Sequence, residues 1–498
     1  MLAETAAEAA ERFGDRLAFV TDEGLSLTYG EFNALADAAA VGLAERGVRE
    51  GDVVALLLPS APEHFITYVA AAKLGAVTAA INPKLVTAER EAVLRAAAPR
   101  VIVTTESLAP TSDGSTPVVE ITPASEVGGV LANLAVRGQA PPPLATDLDR
   151  PIAIVFTSGT TGIPKGAVFG GKQIAFITQC DVGDEWGGGG HSMAGSALAH
   201  LGPTTKLAGN IKKGSTQHLS MRPWRAAEAL ASIAELKIAA FGGVPTQVAL
   251  MLRDPTFDQT DLSSVKAVVM GGGPATPALV REARARIRAP LSVRYSCTEA
   301  GIGCGTSFGD PLEDAEVSVG RPLAGVRLSI RRDDGGECQP TEIGEVCLGS
   351  PAVMDGYWRN SSANADVFTA DGSVRTGDLG WIDDQGRLRL AGRNRERYVR
   401  GGYNVHPMEV EGVLADHPDI ASVAVVGRHD PVMGEVGVAV IVPRDGSATP
   451  DLAQLRSFAG ERLARYKLPD DLVVVSALPL TAGEKVDRRA LERLIAEH

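Results

Sequence analysis

Six short apolar runs recur through the first 295 residues: 53–58 (VVALLL), 101–104 (VIVT), 152–156 (IAIVF), 238–241 (IAAF), 267–270 (AVVM) and 291–295 (LSVRY). Most are separated by stretches with helical periodicity. Buried strands that alternate with helices confine a chain to an α/β fold with largely parallel sheets. One helix start is legible in detail. Thr28 precedes Glu31 by three positions, the signature of a capping box. Phe32, Leu35, Ala36, Ala39 and Leu43 then follow at helical spacing until Gly47.

The last hundred residues read differently. Helical patterns near 408–414 and 452–464, strands at 420–426, 436–442 and 472–475, and a final helix from about Asp487 form a compact α+β unit. The charged, glycine-containing segment 392–402 (GRNRERYVRGG) is expected to be an exposed joint ahead of it, and the turn-rich segment 137–151 a surface connection between two halves of the larger region. The expected division is a large N-terminal domain of α/β subdomains, residues 1–394, and a small C-terminal domain, residues 395–498.

Composition excludes several classes of function. The chain has 498 residues, enough for a large core, with 45% apolar and 22% charged residues. A net charge of −13 argues against a nucleic-acid or anionic-membrane partner. The five cysteines show no C-x-x-C spacing, which argues against a disulfide scaffold or zinc module and suits a cytoplasmic protein. The start carries no signal-peptide pattern, and the apolar stretch 65–81 is interrupted by Lys73, so no integral membrane segment is expected.

The segment 157–166, TSGTTGIPKG, holds three glycines, four hydroxyl side chains and one lysine. Exposed backbone N–H groups and a cation in such a loop suit phosphate. It is not the P-loop pattern, because the sixth position from Gly159 is Pro164 and Lys165 is followed by Gly166. In order along the chain come GGVPT (242–246), GGGPATP (271–277), YSCTE (295–299), GYWRN (356–360), RTGDLGWID (375–383), AGRNRERYVRGG (391–402) and LTAGEKVDRRAL (480–491).

Together these stretches resemble the adenylate-forming superfamily of acyl-CoA synthetases, luciferases and peptide-synthetase adenylation domains, over nearly the whole chain. The resemblance implies an AMP-forming acid–thiol ligase using ATP, Mg2+ and coenzyme A. A carboxylic acid would attack the α-phosphorus of ATP, release pyrophosphate, and pass as acyl-adenylate to the thiol. By position, Thr157, Ser158, Gly159, Thr160, Thr161, Gly162 and Lys165 would cradle the departing phosphates. Glu299 would hold magnesium with Thr298 near the α-phosphate. Asp378 and Arg393 would bind the ribose, and Gly271, Gly272, Gly273 and Tyr295 would flank the adenine. Lys485 would bridge carboxylate and α-phosphate, and the small domain would swing about a hinge at Arg395. Gly401 and Gly402 would line the pantetheine tunnel. His200, Gly243, Cys297 and Gly301 would border the acid, which is expected to be an apolar monocarboxylate such as a fatty acid or a bulky ring acid.

Two departures from the family pattern stand out. Ser296 occupies a position commonly held by glycine, and Glu484 interrupts the usual small-Gly-Lys order before Lys485. The alternatives are a stand-alone enzyme that loads a separate carrier protein, a degenerate nucleotide-binding relative, and a luciferase-type oxygenase. With no carrier segment after VDRRALERLIAEH, coenzyme A is the preferred acceptor, within the metabolism of fatty acids. Homodimerisation is left open.

Overall fold

A computed structural model describes residues 1–110, 116–157, 164–193, 197–482 and 484–496. The capping box forms as expected. The Thr28 N–H donates to Glu31 Oε2 at 2.8 Å, and the Glu31 N–H donates to Thr28 Oγ1 at 3.2 Å. The helix Tyr29–Glu45 then buries the apolar stripe read from the sequence.

Among the described residues the large domain contains four sheets. A six-stranded sheet runs Val118–Glu120, Val101–Thr104, Val53–Leu57, Val77–Ala80, Pro151–Thr157 and Lys165–Gly170 in spatial order; every pair is parallel except the last. A five-stranded sheet begins with three parallel strands, Ala240–Gly243, Ala267–Gly271 and Leu291–Tyr295. In the six-stranded sheet, Val53–Leu57, Val77–Ala80 and Val101–Thr104 are buried throughout, as a sheet covered on both faces requires. A four-stranded sheet of Ser26–Thr28, Leu17–Thr21, Thr216–Leu219 and His191–Met193 takes its edge strand from the glycine-rich segment 184–195. The fourth sheet is wholly antiparallel: Arg327–Arg331, Gly344–Gly349, Val374–Ile382 and Leu388–Arg393.

A fifth sheet belongs to the small C-terminal domain and is built on the long hairpin Ile420–Asp430 and Gly434–Pro443. The segment 392–402 is not simply an exposed joint. Tyr398–Arg400 pairs with Tyr403–Val405, and Gly401 and Gly402 turn the chain between them at φ 55° and 86°. Positive φ at both central residues is the requirement of a two-residue hairpin, and a Gly-Gly pair meets it without a steric clash. Tyr398 is 1% exposed, and its side chain lies over the paired Gly427 and Gly437, where a Cβ would meet the Tyr398 Cβ at 2.7 Å and its hydroxyl at 2.2 Å. Likewise, segment 137–151 links two strands of one sheet rather than two halves of the domain. No helix among the described residues is long and apolar enough to cross a membrane.

Candidate active site

The three parallel strands of the five-stranded sheet end side by side at Gly243, Gly271 and Tyr295. The crevice beyond the carboxyl ends of parallel strands is where open α/β sheets bind ligands. Two further walls close on this crevice, one from the antiparallel sheet and one from the small domain.

The antiparallel sheet contributes Asp378, which register sets directly opposite Arg393. Asp378 is 7% exposed; its Oδ1 lies 3.0 Å from Arg393 Nε, and its Oδ2 accepts from the Tyr295 hydroxyl at 2.8 Å. Burial, followed by the Asp378 carboxylate, pushes the Tyr295 phenol well above its ordinary range, so it stays a donor. An acidic acceptor held between a guanidinium and a phenol has lone pairs left to bind vicinal hydroxyls.

The small domain contributes Lys485. A Cβ on Gly272, whose φ is +78°, would lie 4.0 Å from Lys485 Cε. Lys485 keeps exposed surface as a residue, yet groups from the large domain crowd around its ammonium. That desolvation and repulsion by Arg393 lower its pKa, while Asp378 acts in the opposite direction.

The phosphate-loop segment leaves strand Pro151–Thr157 and returns in strand Lys165–Gly170, with Thr157 opposite Lys165. P-loops open into a helix, whereas this one closes a β-hairpin. Ser158, Gly159, Thr160, Thr161 and Gly162 lie outside the described residues. Lys165 Nζ sits 5.2 Å from the centroid of the Tyr357 ring, and the Tyr357 hydroxyl donates to Glu299 Oε1 at 2.7 Å. Tyr357 belongs to GYWRN, whose backbone is tied to the returning strand by Trp358 N–H to Gly166 O at 2.7 Å. One aromatic residue thus joins the loop lysine to the carboxylate. Sequence reasoning passed over Tyr357, although its motif was visible.

Thr298 and Glu299 occupy a short helical turn after Tyr295. Among the described residues no group of three or more His, Cys, Asp and Glu side chains forms a metal cage. A lone carboxylate still fits magnesium, which is commonly held by one or two carboxylates together with substrate phosphates.

The residues expected to border the acid fall in different places. Gly243 lines a mostly apolar cavity with Met193, Trp224, Phe241, Gln247, Val248 and Met251. Cys297 lies near Glu299, Asp378 and Arg393; burial, then Glu299, raises its thiol well above the usual range. Gly301 has φ +72° and backs onto the Ala352 carbonyl, which a Cβ would approach to 2.5 Å. His200 precedes the helix Leu201–Lys212, with its Nε2 buried and unpartnered among the described residues. Burial, then Lys485 and Lys84, lower its pKa and keep the ring neutral.

Three residues that sequence reasoning did not single out hold the Lys485 loop. Asn82 Nδ2 donates to the Ala482 carbonyl at 3.4 Å, Lys84 Nζ pairs with Glu484 Oε1 at 2.7 Å, and Gln247 Nε2 donates to Glu484 Oε2 at 2.6 Å. Arg400, just before the Gly401–Gly402 turn, is engaged bidentately by Asp470, with both contacts at 2.7 Å.

Comparison with known proteins finds related sequences and folds. A family model described as AMP-binding enzyme matches residues 6–358, and one described as its C-terminal domain matches residues 409–485. An indoleacetate–CoA ligase of Aromatoleum aromaticum is 32% identical over 94% of this chain and 93% of its own length. A fatty acid–[acyl-carrier-protein] ligase of Streptomyces coeruleorubidus is 29% identical over 94% and 92%. The solved structure of the amide bond synthetase McbA from Marinactinospora thermotolerans superposes with a TM-score of 0.87 at 27% identity, over 99% of this chain and 100% of that one.

Proposed function

The chain belongs to the AMP-binding enzyme family, and from that premise we propose that it is an ATP-dependent acyl-CoA synthetase acting on an apolar carboxylic acid. The acid's carboxylate oxygen attacks the α-phosphorus of ATP; the bond to the bridging oxygen breaks, and pyrophosphate leaves. The thiol of coenzyme A then attacks the acyl carbonyl, AMP leaves, and the thiol proton passes to solvent.

Each residue has a part in this reading. Lys485 neutralises charge between the carboxylate and the α-phosphate, a gain confined to the step in which that charge develops. Asp378, held by Arg393 and Tyr295, accepts from the ribose hydroxyls. The glycines Gly271, Gly272 and Gly273 let the adenine approach the backbone. Lys165 and Thr157, with the loop 158–162, attend the departing pyrophosphate. Glu299 would hold magnesium, which when bound would offset phosphate charge, with Thr298 beside the α-phosphate. Tyr357 fixes the orientation of the Glu299 carboxylate by its 2.7 Å hydrogen bond. The lid, residues 395–498, turns about Arg395 to bring the Gly401–Gly402 hairpin to the thiol for the second step.

The observation that carries the reading is the convergence of Lys485, from the small domain, on the Asp378–Arg393 pair of the large one. The side chains lining the cavity at Gly243, apolar apart from Gln247, support an apolar acid, with no arginine among them to engage a second carboxylate. The relative from Streptomyces supports a second reading, in which a carrier-protein thiol replaces coenzyme A. The test is pyrophosphate and AMP release over a panel of fatty and aromatic acids, with coenzyme A present or absent. Acid-dependent AMP formation that turns over with coenzyme A is the expected result. Adenylate formation that ignores coenzyme A selects the carrier reading, and no AMP with any acid sinks both.

A further inference from the structure

The turn that presents Lys485 is closed by two backbone hydrogen bonds, Glu484 N–H to Thr481 O at 2.9 Å and Thr481 N–H to Lys485 O at 2.7 Å. It requires a left-handed residue just before the lysine, and Glu484 fills that position at φ +61°. A side chain with a Cβ is disfavoured there, and glycine is the residue that enters this region freely. Glutamate is therefore held in place by what its carboxylate touches. Lys84 and Gln247 lie in different parts of the large domain, on the connection after strand Val77–Ala80 and in helix Pro245–Arg253. Each takes one carboxylate oxygen, at 2.7 Å and 2.6 Å. Gln247 is 3% exposed, and its own Oε1 accepts from the Val244 N–H at the start of its helix, so its Nε2 is already aimed. Gly243 leaves room for it, since a Cβ there would meet Gln247 Oε1 at 2.9 Å.

We propose that Glu484 is a positioning residue: a latch by which the lid grips both parts of the large domain and sets Lys485 for the adenylate-forming step. The inference rests on the synthetase reading, but it makes a claim about lid position that can be measured without turnover. The latch stabilises the arrangement in which Lys485 reaches the nucleotide, and its release belongs to the transition toward the thiol-accepting arrangement. Glu484 touches neither reacting atom; it acts through Lys485.

Glu484→Gly removes both contacts and relieves the backbone, so it tests the latch with little risk to folding. Acid-dependent pyrophosphate formation is expected to fall about tenfold in kcat, the size of a charged hydrogen bond added to a part-exposed ion pair. The KM for ATP should stay nearly constant, and thioester formation from supplied acyl-adenylate should be unchanged or faster. Lys84→Met alone should give a smaller loss, and it should add nothing in the Glu484→Gly background. Equal loss in both half-reactions, or additive effects of the two substitutions, would overturn the latch.

A second measurement needs no activity. Fluorescence transfer between labels at the exposed Glu461 of the lid and Leu312 of the large domain should shift away from the docked distance in Glu484→Gly. An unchanged distribution overturns the latch even if pyrophosphate formation falls. A shifted distribution in a protein that makes no AMP supports the latch and removes the synthetase reading instead.

Discussion

The two walls of the crevice are built in opposite ways. On one side, Asp378 faces Arg393 because two antiparallel strands are hydrogen-bonded in fixed register, and the Tyr295 hydroxyl locks the carboxylate from a neighbouring sheet. On the other, Lys485 arrives on a loop held by Asn82, Lys84 and Gln247. Moving the first wall means breaking sheet ladders. Moving the second means releasing a few side-chain contacts, together with ties such as Arg281 to Asp416 at 2.7 Å and Arg253 to Ser422 at 3.1 Å. A site assembled from a rigid half and a releasable half suits chemistry in two steps with different geometries.

The contrast is tested most sharply at Lys485. Lys485→Ala should lower adenylate formation by about a thousandfold, the upper range for removing one preorganised charge-stabilising group, while sparing thioester formation from supplied acyl-adenylate. Single-turnover assays of the two half-reactions separate these outcomes; equal loss in both places the lysine in the wrong step. On the fixed wall, Asp378→Ala should raise the KM for ATP by about ten- to a hundredfold, since it deletes a buried acceptor and leaves Arg393 unpaired. An unchanged ATP dependence removes the ribose contact.

The pH profile distinguishes the walls in another way. Burial and Arg393 lower the pKa of Lys485 from 10.5, so its ammonium is lost as pH rises through a value below that of a free lysine. Adenylate formation should therefore fall on the alkaline side, by about tenfold per pH unit beyond the lowered pKa, whereas the thioester step should not share that limb. Lys485→Arg, which stays charged, should abolish the limb whatever rate remains. The smallest effect is expected at Tyr357→Phe. Loss of one hydrogen bond to Glu299 should raise the magnesium concentration needed for half-maximal rate by about three- to tenfold. A magnesium dependence identical to that of the parent would separate Glu299 from the metal or Tyr357 from Glu299.

Much of this was legible in residue order because it is local. The capping box at Thr28 and Glu31, the buried runs and the helical stripes each follow from chemistry within a few residues. The Gly401–Gly402 hairpin was equally local, but the charges around it drew attention away from its turn signal, and Tyr398 proved to be core. Other contacts lie far apart along the chain. Tyr357 meets Glu299 across 58 positions, and Glu484 meets Gln247 across 237.

The amino-acid order alone determined the α/β class, the small C-terminal unit and the residue types proposed to meet phosphate, ribose and metal, because strand and helix periodicity and loop composition act over short range. Only the folded chain decided that Glu484, an interruption in the motif when read along the sequence, is a bridge between lobes. Its two partners are brought to it by separate parts of the large domain, and no local pattern encodes where those parts meet.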